Sequence, residues 1–416
     1  MASAVFDLNR RWSSQDFPEL GAAPVPTEPC ISTEYFELEK NRVFQRVWLY
    51  VGREEEIKKP GDYIVRDLPA MNTSLIIVRG SDGVVRSFHN ICSHRGNKLA
   101  WDKCGSCRSF SCKFHSWTYD LKGALIGVPD EKMFADFRRS EHGLVPVAAQ
   151  TWEGFIFVNA DPKPAQTLGE YLGDLGRRLA GFPYAEMTAT YAYETELKCN
   201  WKVALDAFSE AYHVNTVHGR SYPETFTGKN NKQCHLPEVR LYGPHRSAVI
   251  YGNPNHQPSP AAAVAYLFGE SVTKRTSNLD ELPPQVNPTR SPEFAFDLNV
   301  IFPNLILHIL PGTWFTHQFW PISVDRTLWE GRAYWRPAKN AGERFAQEFN
   351  NCVLRNAWLE DTGTMEATQQ ALSSQVKTHF VLQEQEVLIR HSYKVLEDYV
   401  QFYHRSPPSK AHRKVR

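Results

Sequence analysis

Short apolar runs rich in β-branched and aromatic residues dominate the chain from Val47 to about residue 155. The clearest are VWLYVG, DYIVRDL, SLIIVRG and VVRSFH, and runs of this length and composition are typical of β-strands. Residues 80–83, with the sequence Gly-Ser-Asp-Gly, separate two of these runs and predict a hairpin turn. The pattern therefore predicts a small all-β unit in this part of the chain.

After about residue 155 the pattern becomes a mixture of helical and extended segments. The spacing of apolar residues predicts helices over 167–182, 201–218, 341–372 and 380–404. One strand is predicted over 188–198, and four consecutive antiparallel strands over 294–302, 304–310, 313–322 and 327–335. Residues from about 220 to 293 are rich in Pro, Gly, Asn and Ser, and their weak periodicity predicts a long functional or mobile loop.

These segments predict an α+β fold with two domains. We expect an N-terminal segment, 1–45, that packs with the second domain, and a small all-β domain over 46–155. A larger domain of helices and antiparallel sheet is expected over 156–404, and a basic tail, 405–416, is expected to be disordered. A chain of 416 residues exceeds what one hydrophobic core usually holds, which agrees with two domains.

Charge and composition narrow the class of protein. Hydrophobic residues make up 42% and charged residues 22% of the chain, as in a soluble globular protein. Lys and Arg number 47 against 46 Asp and Glu, so nothing favours a nucleic-acid or membrane partner. The sequence has neither a signal peptide's apolar run nor a stretch of about 18 apolar residues. We therefore expect a cytoplasmic protein with reduced cysteines, which are first interpreted as metal ligands or core residues.

Two Cys/His pairs lie within the predicted all-β unit and indicate a metal centre. A C-x-H pair, Cys92 and His94, is followed by a C-x-x-H pair, Cys112 and His115. Two thiolates on one iron and two imidazoles on the other raise the potential of a [2Fe–2S] cluster above that of an all-cysteine cluster. Four such ligands also suit zinc, but zinc modules usually carry a C-x-x-C pair at each end. The C-x-x-C pair at positions 104 and 107 lies in the connecting loop, and we interpret it as a bystander.

A second group of ligand-type residues lies in the predicted helix 201–218. Glu210 and His213 are three residues apart and share one face of a helix. His213 and His218 are five residues apart, so they converge on one metal only if the helix loosens or ends between them. A non-haem iron site usually adds one carboxylate to two imidazoles. Segment 358–369 offers candidate carboxylates, although by itself it resembles an ordinary charged helix surface.

Both groups resemble the motifs of one protein family. Residues 92–123 carry C-x-H-R-G and then C-x-x-H-x-W-x-Y-x-x-x-G, which resembles the Rieske domain of bacterial ring-hydroxylating oxygenases. Residues 210–218 match the E-x-Y-H-x4-H motif of that family, and residues 360–369 match its E-D-x4-E-x2-Q motif. Two positions depart from the family's usual C-P-Y-H-G-W run, with Lys113 in place of the proline and Ser116 in place of the glycine.

The resemblance implies a use for the first four ligands. Cys92 and Cys112 are expected to hold one iron of a Rieske [2Fe–2S] cluster, and His94 and His115 the other. The cluster would receive electrons from a reductase, directly or through a ferredoxin, with NAD(P)H as the ultimate donor. The small all-β domain is then a Rieske domain placed before the catalytic domain.

The resemblance also implies a mononuclear Fe(II) site held by His213, His218 and Asp361. Glu210 takes the place of the family's bridging acid, which contacts an iron-ligand histidine and a cluster histidine of the neighbouring subunit. Because that bridge crosses a subunit boundary, we expect a cyclic homotrimer, with or without a small beta subunit. A fully active monomer in light scattering would contradict this expectation.

The function that the resemblance implies is that of a terminal oxygenase component. Such a protein uses dioxygen to hydroxylate an organic substrate, and the family's habits make an aromatic hydrocarbon the first expectation. An N- or O-demethylase, or a monooxygenase of a larger ring compound, stays open as an alternative. From other classes, a Rieske electron carrier and a zinc-stabilised binding module stay open as well.

The substrate pocket is expected between the helix 201–218 and the strands near 300–320. Its walls are predicted to include five apolar residues: Phe208, Val214, Ile301, Leu305 and Phe315. For each of these residues, packing in the hydrophobic core without contact to a substrate is an equally good interpretation. His308 and His317 are interpreted as hydrogen-bonded structural histidines rather than as substrate contacts.

Overall fold

The computed structural model describes residue 12 and residues 15–269 and 279–405. It divides into two compact units, one formed by residues 44–171 and the other by the residues on either side of that range. The predicted tail beyond residue 405 and most of residues 1–14 lie outside the described residues.

The N-terminal segment belongs to the second of these units. It contains the short strand β1 (Val25–Pro26) and the helix α1 (Thr33–Glu39). The side chain of Ser32 caps the helix by accepting a hydrogen bond from the backbone N–H of Tyr35 at 3.1 Å.

The unit of residues 44–171 is built from strands, as the short apolar runs predicted. Its strands are β2 (Leu49–Arg53), β3 (Asp62–Leu68), β4 (Thr73–Arg79), β5 (Val85–His89), β6 (Cys104–Ser106), β7 (Phe110–Ser111), β8 (Thr118–Tyr119), β9 (Leu125–Gly127), β10 (Pro146–Trp152) and β11 (Phe155–Asn159). Seven of them form an antiparallel sheet in the order β2-β11-β10-β5-β4-β3-β6, and β7, β8 and β9 form a smaller sheet.

Two predictions about this unit, its hairpin and its C-terminal end, can be compared with the structure. The hairpin at residues 80–83 is confirmed, because it joins β4 to β5 and the N–H of Gly80 donates to the carbonyl of Val84 at 2.9 Å. The sequence placed the end of the β unit near residue 155. In the structure β11 pairs with both β10 and β2, so this sheet continues past that position and the unit runs to Tyr171.

The second unit is organised around a seven-stranded antiparallel sheet. After the helix α2 (Leu168–Leu179), its strands are β12 (Ala189–Leu197), β13 (Glu238–Tyr242), β14 (His245–Tyr251), β15 (Phe294–Ile301), β16 (Leu305–Leu310), β17 (Thr313–Ser323) and β18 (Arg326–Trp335). The sheet order is β12-β18-β17-β16-β15-β14-β13. The predicted strand 188–198 and the four consecutive strands after residue 293 are therefore confirmed.

The prediction of a loop over 220–293 is wrong for much of that range. Strands β13 and β14 extend the sheet there, and a helix follows over Pro260–Phe268. Every residue of β14 is buried, including the charged Arg246, so the strand lacks the alternation of polar and apolar residues that marks a half-exposed strand. Residues 270–278 lie outside the described part of the chain.

The predicted helix 201–218 is also interrupted. In chain order the remaining helices are α3 (Trp201–Ala207), α4 (Val214–Val217), α5 (Pro260–Phe268), α6 (Ala341–Leu372) and α7 (Val387–Arg405). After α3 the chain leaves the helix: the hydroxyl of Ser209 donates to the carbonyl of Leu205 at 2.7 Å, and residues 208–213 have no regular helical structure.

The two C-terminal helices are both present. The bounds of α6 agree with the predicted helix 341–372, and the side chain of Asn340 caps it by accepting from the N–H of Glu343 at 2.9 Å. Helix α7 begins later than predicted because residues 379–380 form the strand β19, which pairs with β1. No helix in the described part of the chain has both the length and the apolar character needed to cross a membrane.

A buried ion pair fastens α3 to the N-terminal segment. The Nζ of Lys202 lies 2.7 Å from Oε1 of Glu39, and the indole N–H of Trp201 donates to Oε2 of the same carboxylate at 3.0 Å. Both charged side chains are almost completely buried. Removing one partner of such a pair typically costs about 3–5 kcal/mol, so this contact holds the first turn of α3 against the N-terminal segment.

Candidate metal centres and substrate cavity

The two Cys/His pairs lie on two loops with the same backbone geometry, 92–97 and 112–117. In each loop the cysteine N–H donates to the carbonyl five residues later at 2.8 Å. The N–H four residues after the cysteine donates back to the cysteine carbonyl at 2.9 Å in both loops. That fourth residue has a left-handed backbone, with φ of 76° at Gly96 and 57° at Ser116. Ser116 therefore stands where the conformation favours glycine.

The four predicted cluster ligands fit a Rieske group. The thiols of Cys92 and Cys112 are buried, with 2% and 3% of each residue exposed. The imidazole rings of His94 and His115 lie 4.6 Å apart, and the buried Nδ1 of each has no hydrogen-bond partner among the described residues. Buried thiols and orphaned imidazole nitrogens are the donor atoms that such a cluster uses.

Neighbouring groups favour the thiolate form of one cluster ligand, Cys112, whereas burial raises the pKa of the Cys92 thiol. Burial raises the pKa of the Cys112 thiol, but hydrogen bonds from the backbone of Phe114 and His115 and from Asn97 outweigh burial and lower it. The thiolate is the form that binds iron. The indole of Trp117 stacks on His94 with ring centroids 4.8 Å apart, which holds the imidazole in place.

The geometry also weighs against a single zinc ion at these loops. Among the described residues, three or more His, Cys, Asp or Glu donors come within reach of one ion only at His213, His218 and Asp361. The four loop donors do not form such a group, as is expected when they are shared between two irons. Of the C-x-x-C pair, Cys104 is exposed on β6, and Cys107 is partly buried against the apolar cluster that includes Cys92 and Cys112.

The second group of predicted ligands converges in the structure. The short helix α4 separates His213 from His218 and turns both rings toward one point, so that their Nε2 atoms lie 3.2 Å apart. Oδ1 of Asp361, on α6, lies 3.2 Å from Nε2 of His218 and 3.7 Å from Nε2 of His213. Donors bound to one ion at ~2.1 Å have separations of this size, so the three side chains could hold one metal and leave a face open.

Carboxylates fix the orientation of both imidazoles. Nδ1 of His213 contacts the carboxylate of Glu210, and Nδ1 of His218 lies 3.0 Å from Oε2 of Glu360. Each contact favours a proton on Nδ1, which leaves the Nε2 lone pair for a metal. The hydroxyl of Ser221 donates to Glu360 at 2.8 Å and holds that carboxylate in turn.

The role of Glu360 was missing from the sequence analysis. The sequence did contain a signal for this residue, because Glu360 is the first residue of the E-D-x4-E-x2-Q motif, next to Asp361. Burial lowers the pKa of His218, but the carboxylates of Asp361 and Glu360 outweigh burial and raise it above its ordinary value. The same carboxylates that favour a proton on His218 would favour a metal ion bound there in its place.

The same helix that carries Asp361 is tied to the start of α3. Oε1 of Gln369 accepts a hydrogen bond from the N–H of Asn200 at 2.9 Å, and Oε1 of Glu366 accepts from the N–H of Lys198 at 3.0 Å. The E-D-x4-E-x2-Q motif therefore supplies a candidate ligand and also two hydrogen-bond acceptors that hold the backbone before α3.

A cavity of about 320 Å³ opens beside the three candidate ligands. Its lining combines residues after α3, the strands β15, β16 and β17, and the helices α5 and α6. Aromatic rings cover much of the wall, among them Phe208, Phe226, Phe296, Phe315, Trp335 and Trp358. Among the described lining residues the only charged ones are Glu210 and Asp361, both at the candidate metal site. The site thus combines an open metal face with a largely apolar chamber.

The predicted pocket walls are partly confirmed. Phe208, Val214 and Phe315 line the cavity, whereas Ile301 and Leu305 do not. Successive side chains of a strand point to opposite faces of the sheet. On β16 the lining residues have even numbers, so Leu305 falls on the other face. On β15 Phe296 and Leu298 line the cavity, as does Ala295 at the register shift with β14, and Ile301 falls on the other face. Ile301 and Leu305 are buried in the core.

The two histidines of the wall differ in their surroundings. Nδ1 of His317 lies 3.2 Å from the indole N–H of Trp329, which agrees with a structural histidine. The interpretation of His308 as a hydrogen-bonded structural histidine is wrong. Neither of its ring nitrogens has a hydrogen-bond partner in the described part of the protein, although the side chain is buried.

Two protein families match the chain. The family described as the ring hydroxylating alpha subunit, catalytic domain, matches residues 184–402, and the Rieske [2Fe–2S] domain matches residues 47–138. The chain therefore belongs to the alpha subunits of the Rieske-type ring-hydroxylating oxygenases, as the motifs predicted. The cofactors typical of that family are the [2Fe–2S] cluster and a mononuclear iron.

Individual relatives span several substrate classes. The glycine betaine monooxygenase oxygenase subunit of Chromohalobacter salexigens is 36% identical over 214 residues, which are 51% of this chain and 45% of that one. The benzene 1,2-dioxygenase alpha subunit of Pseudomonas putida is 32% identical over 223 residues, or 50% of this chain and 48% of that one. The matched region thus spans about half the length of these relatives.

The fold is shared with solved structures over nearly the whole chain. A quaternary ammonium Rieske monooxygenase in complex with an inhibitor superposes with a TM-score of 0.74 at 20% identity, covering 94% of this chain and 99% of that one. Naphthalene 1,2-dioxygenase from Rhodococcus sp., bound to indole, gives a TM-score of 0.71 at 21% identity over 91% and 94% of the two chains. At these identities the likeness establishes the fold.

Replacing Ser116 by glycine is expected to stabilise the cluster loop. A left-handed backbone costs a residue with a Cβ about 1–2 kcal/mol, and the gain is partly offset by the freedom of glycine in the unfolded chain. The midpoint for thermal loss of the cluster's visible absorption should rise by roughly 3 °C. The reciprocal change Gly96→Ser should lower it, since an added Cβ there meets nothing closer than 3.8 Å and only the backbone is strained. A lower midpoint for Ser116→Gly would contradict this account.

Glu360→Gln is expected to weaken Fe(II) binding at the second site about tenfold, because the charge that orients His218 is lost. The measurement is an anaerobic Fe(II) titration of protein that retains its cluster, counting iron beyond the two cluster atoms. Glu366→Gln is the matched control, since this glutamate lies on the same helix but contacts the backbone of Lys198. Equal losses in both variants, or none in Glu360→Gln, would refute the orienting role.

Proposed function

We propose that this chain is the terminal oxygenase component of a Rieske non-haem iron system. It receives electrons from a reductase, directly or through a ferredoxin, and uses dioxygen to hydroxylate an organic, aromatic substrate. The cluster ligands of the proposal are Cys92, His94, Cys112 and His115, and the iron ligands are His213, His218 and Asp361. A single observation carries the proposal: two imidazoles and one carboxylate converge at the wall of an aromatic-lined cavity.

The donor set determines what an iron at this point would contribute. An Fe(II) held by His213, His218 and Asp361 would supply the oxidation chemistry at this point. The chain's own residues do the rest. Glu210 and Glu360 hold the Nδ1 protons of the two imidazoles, so that each ring presents Nε2 to the ion. The aromatic wall positions an apolar substrate and displaces water from the reacting face.

We also propose that the protein is a homotrimer, and the surroundings of Glu210 support this. Its carboxylate contacts His213 and also accepts a hydrogen bond from the backbone of His213 at 3.2 Å. The side chain keeps a small exposed area, and the adjacent Tyr212 is 55% exposed. We infer that a cluster histidine of a neighbouring subunit approaches here, as the family's bridging acid implies.

A second candidate function is oxidative attack on a quaternary ammonium compound. The names of two relatives, a glycine betaine monooxygenase and a quaternary ammonium monooxygenase, favour it. Aromatic rings also attract such cations. Glycine betaine, however, carries a carboxylate as well, and no Lys or Arg lines the cavity among the described residues. We therefore rank an uncharged aromatic substrate first.

Product analysis under ¹⁸O₂ separates these functions. The holo-protein, NADH and a surrogate reductase are incubated with naphthalene, indane, glycine betaine or L-carnitine, and products are identified by mass spectrometry. We expect ¹⁸O-labelled hydroxylated arenes with wild-type protein, and loss of product with Asp361→Asn although its cluster is still reduced. Oxidation of the ammonium compounds alone would establish the second function. Cluster reduction without labelled product from any of the four would favour an electron carrier.

A further inference from the structure

His308 is a polar side chain that the site described so far does not use. It lies on β16, lines the cavity, and only 3% of the residue is exposed. Both ring nitrogens lack a hydrogen-bond partner within the described residues, in contrast to His317 beside it. Native proteins rarely leave buried polar atoms unsatisfied, so an unpaired imidazole in a cavity wall indicates a partner that arrives with the ligand.

The surroundings of His308 fix the plane of its ring. Phe315, which is its cross-strand neighbour on β17, stacks on it with centroids 4.2 Å apart and planes 20° apart. Phe296 meets it edge-on at 5.2 Å, and His317 meets it at 5.3 Å. The ring is therefore held on several sides by rigid neighbours, while its nitrogens have no protein group to bond.

The chemistry of the ring defines the partner. Burial lowers the pKa of His308 to about 3, so the imidazole is neutral at physiological pH. A neutral imidazole offers one N–H donor and one acceptor nitrogen. It is not a counter-ion for a carboxylate, and the negative faces of the phenyl rings around it disfavour an anion. A carbonyl, hydroxyl or ether oxygen on an otherwise apolar molecule satisfies these conditions.

We propose that His308 is a specificity-determining residue that hydrogen-bonds a neutral oxygen function of the substrate. The inference rests on the proposed function, because it assumes that the cavity beside the metal site receives the substrate. It narrows the substrate class from an aromatic compound to an aromatic compound with one uncharged polar group. The rings of Phe296 and Phe315 would then hold the apolar part.

Two probes that differ by one oxygen test the proposal without turnover. Indane and 1-indanone have nearly the same shape, and their dissociation constants are measured by anaerobic equilibrium dialysis against holo-protein. The quantity compared is the ratio of the 1-indanone constant to the indane constant. Replacing His308 by Phe should raise this ratio about tenfold through loss of 1-indanone binding, with the indane constant nearly unchanged.

Two further variants separate hydrogen bonding from packing. His308→Gln keeps a donor and an acceptor, so it should restore much of the wild-type ratio. Leu310→Ala alters the same strand and the same cavity wall without touching a polar group, so it should change both constants by a similar factor. Retained indane binding in each variant shows that the cavity is intact.

The possible results distinguish failure of the inference about His308 from failure of the proposed function. If both probes bind wild-type protein and His308→Phe leaves the ratio unchanged, His308 does not recognise the substrate, although the proposed function stands. If neither probe binds wild-type protein, the cavity does not receive such molecules, and the inference fails together with the aromatic substrate of the proposed function.

Discussion

One helix, α6, sets the position of the candidate iron site. Its residues Asp361 and Glu360 meet His218, and farther along the helix Glu366 and Gln369 bind the backbone just before α3. Glu366 and Gln369 are three residues apart and share one face of α6, and Glu360 and Asp361 precede them on the same helix. One rigid element therefore carries a ligand, an orienting carboxylate and two side chains that hold the segment before α3. The histidines stand on short, irregular backbone, and their convergence depends on this helix.

The rest of the second unit follows from that arrangement. The helix α3 is fastened at its start by the buried Lys202–Glu39 pair and by Gln369, so the chain that leaves it is aimed at Asp361. The sheet then closes the other side of the chamber with Phe296, His308 and Phe315. Because these side chains come from rigid strands, the cavity wall is held in one arrangement before any ligand arrives.

The sequence predicts regular elements where one physical signal is strong. Helix 341–372 has a capping asparagine and sustained helical spacing, and the strands after residue 293 have runs of apolar residues between turns. Strand β14 escaped prediction because it is buried along its whole length and carries Arg246 in the interior, so no alternation marks it. The end of α3 at Ala207 escaped for a different reason, since the apolar spacing continues through residues that the tertiary fold takes out of the helix.

The candidate site was predictable only through motifs. Asp361 lies on a charged helix whose sequence does not distinguish a ligand from a surface acid, and only its family motif points to it. Glu360 was missed because its role depends on which way His218 turns. His308 was misinterpreted because whether a buried histidine has a partner depends on the strands beside it.

The most direct test of the central claim is iron analysis with anaerobic EPR on purified wild-type protein and Asp361→Ala. We predict three irons per wild-type chain and a Rieske signal after dithionite reduction in both proteins, with the third iron missing from the variant alone. A wild-type protein that contains zinc, or only the two cluster irons after Fe(II) loading, would contradict the two-site account.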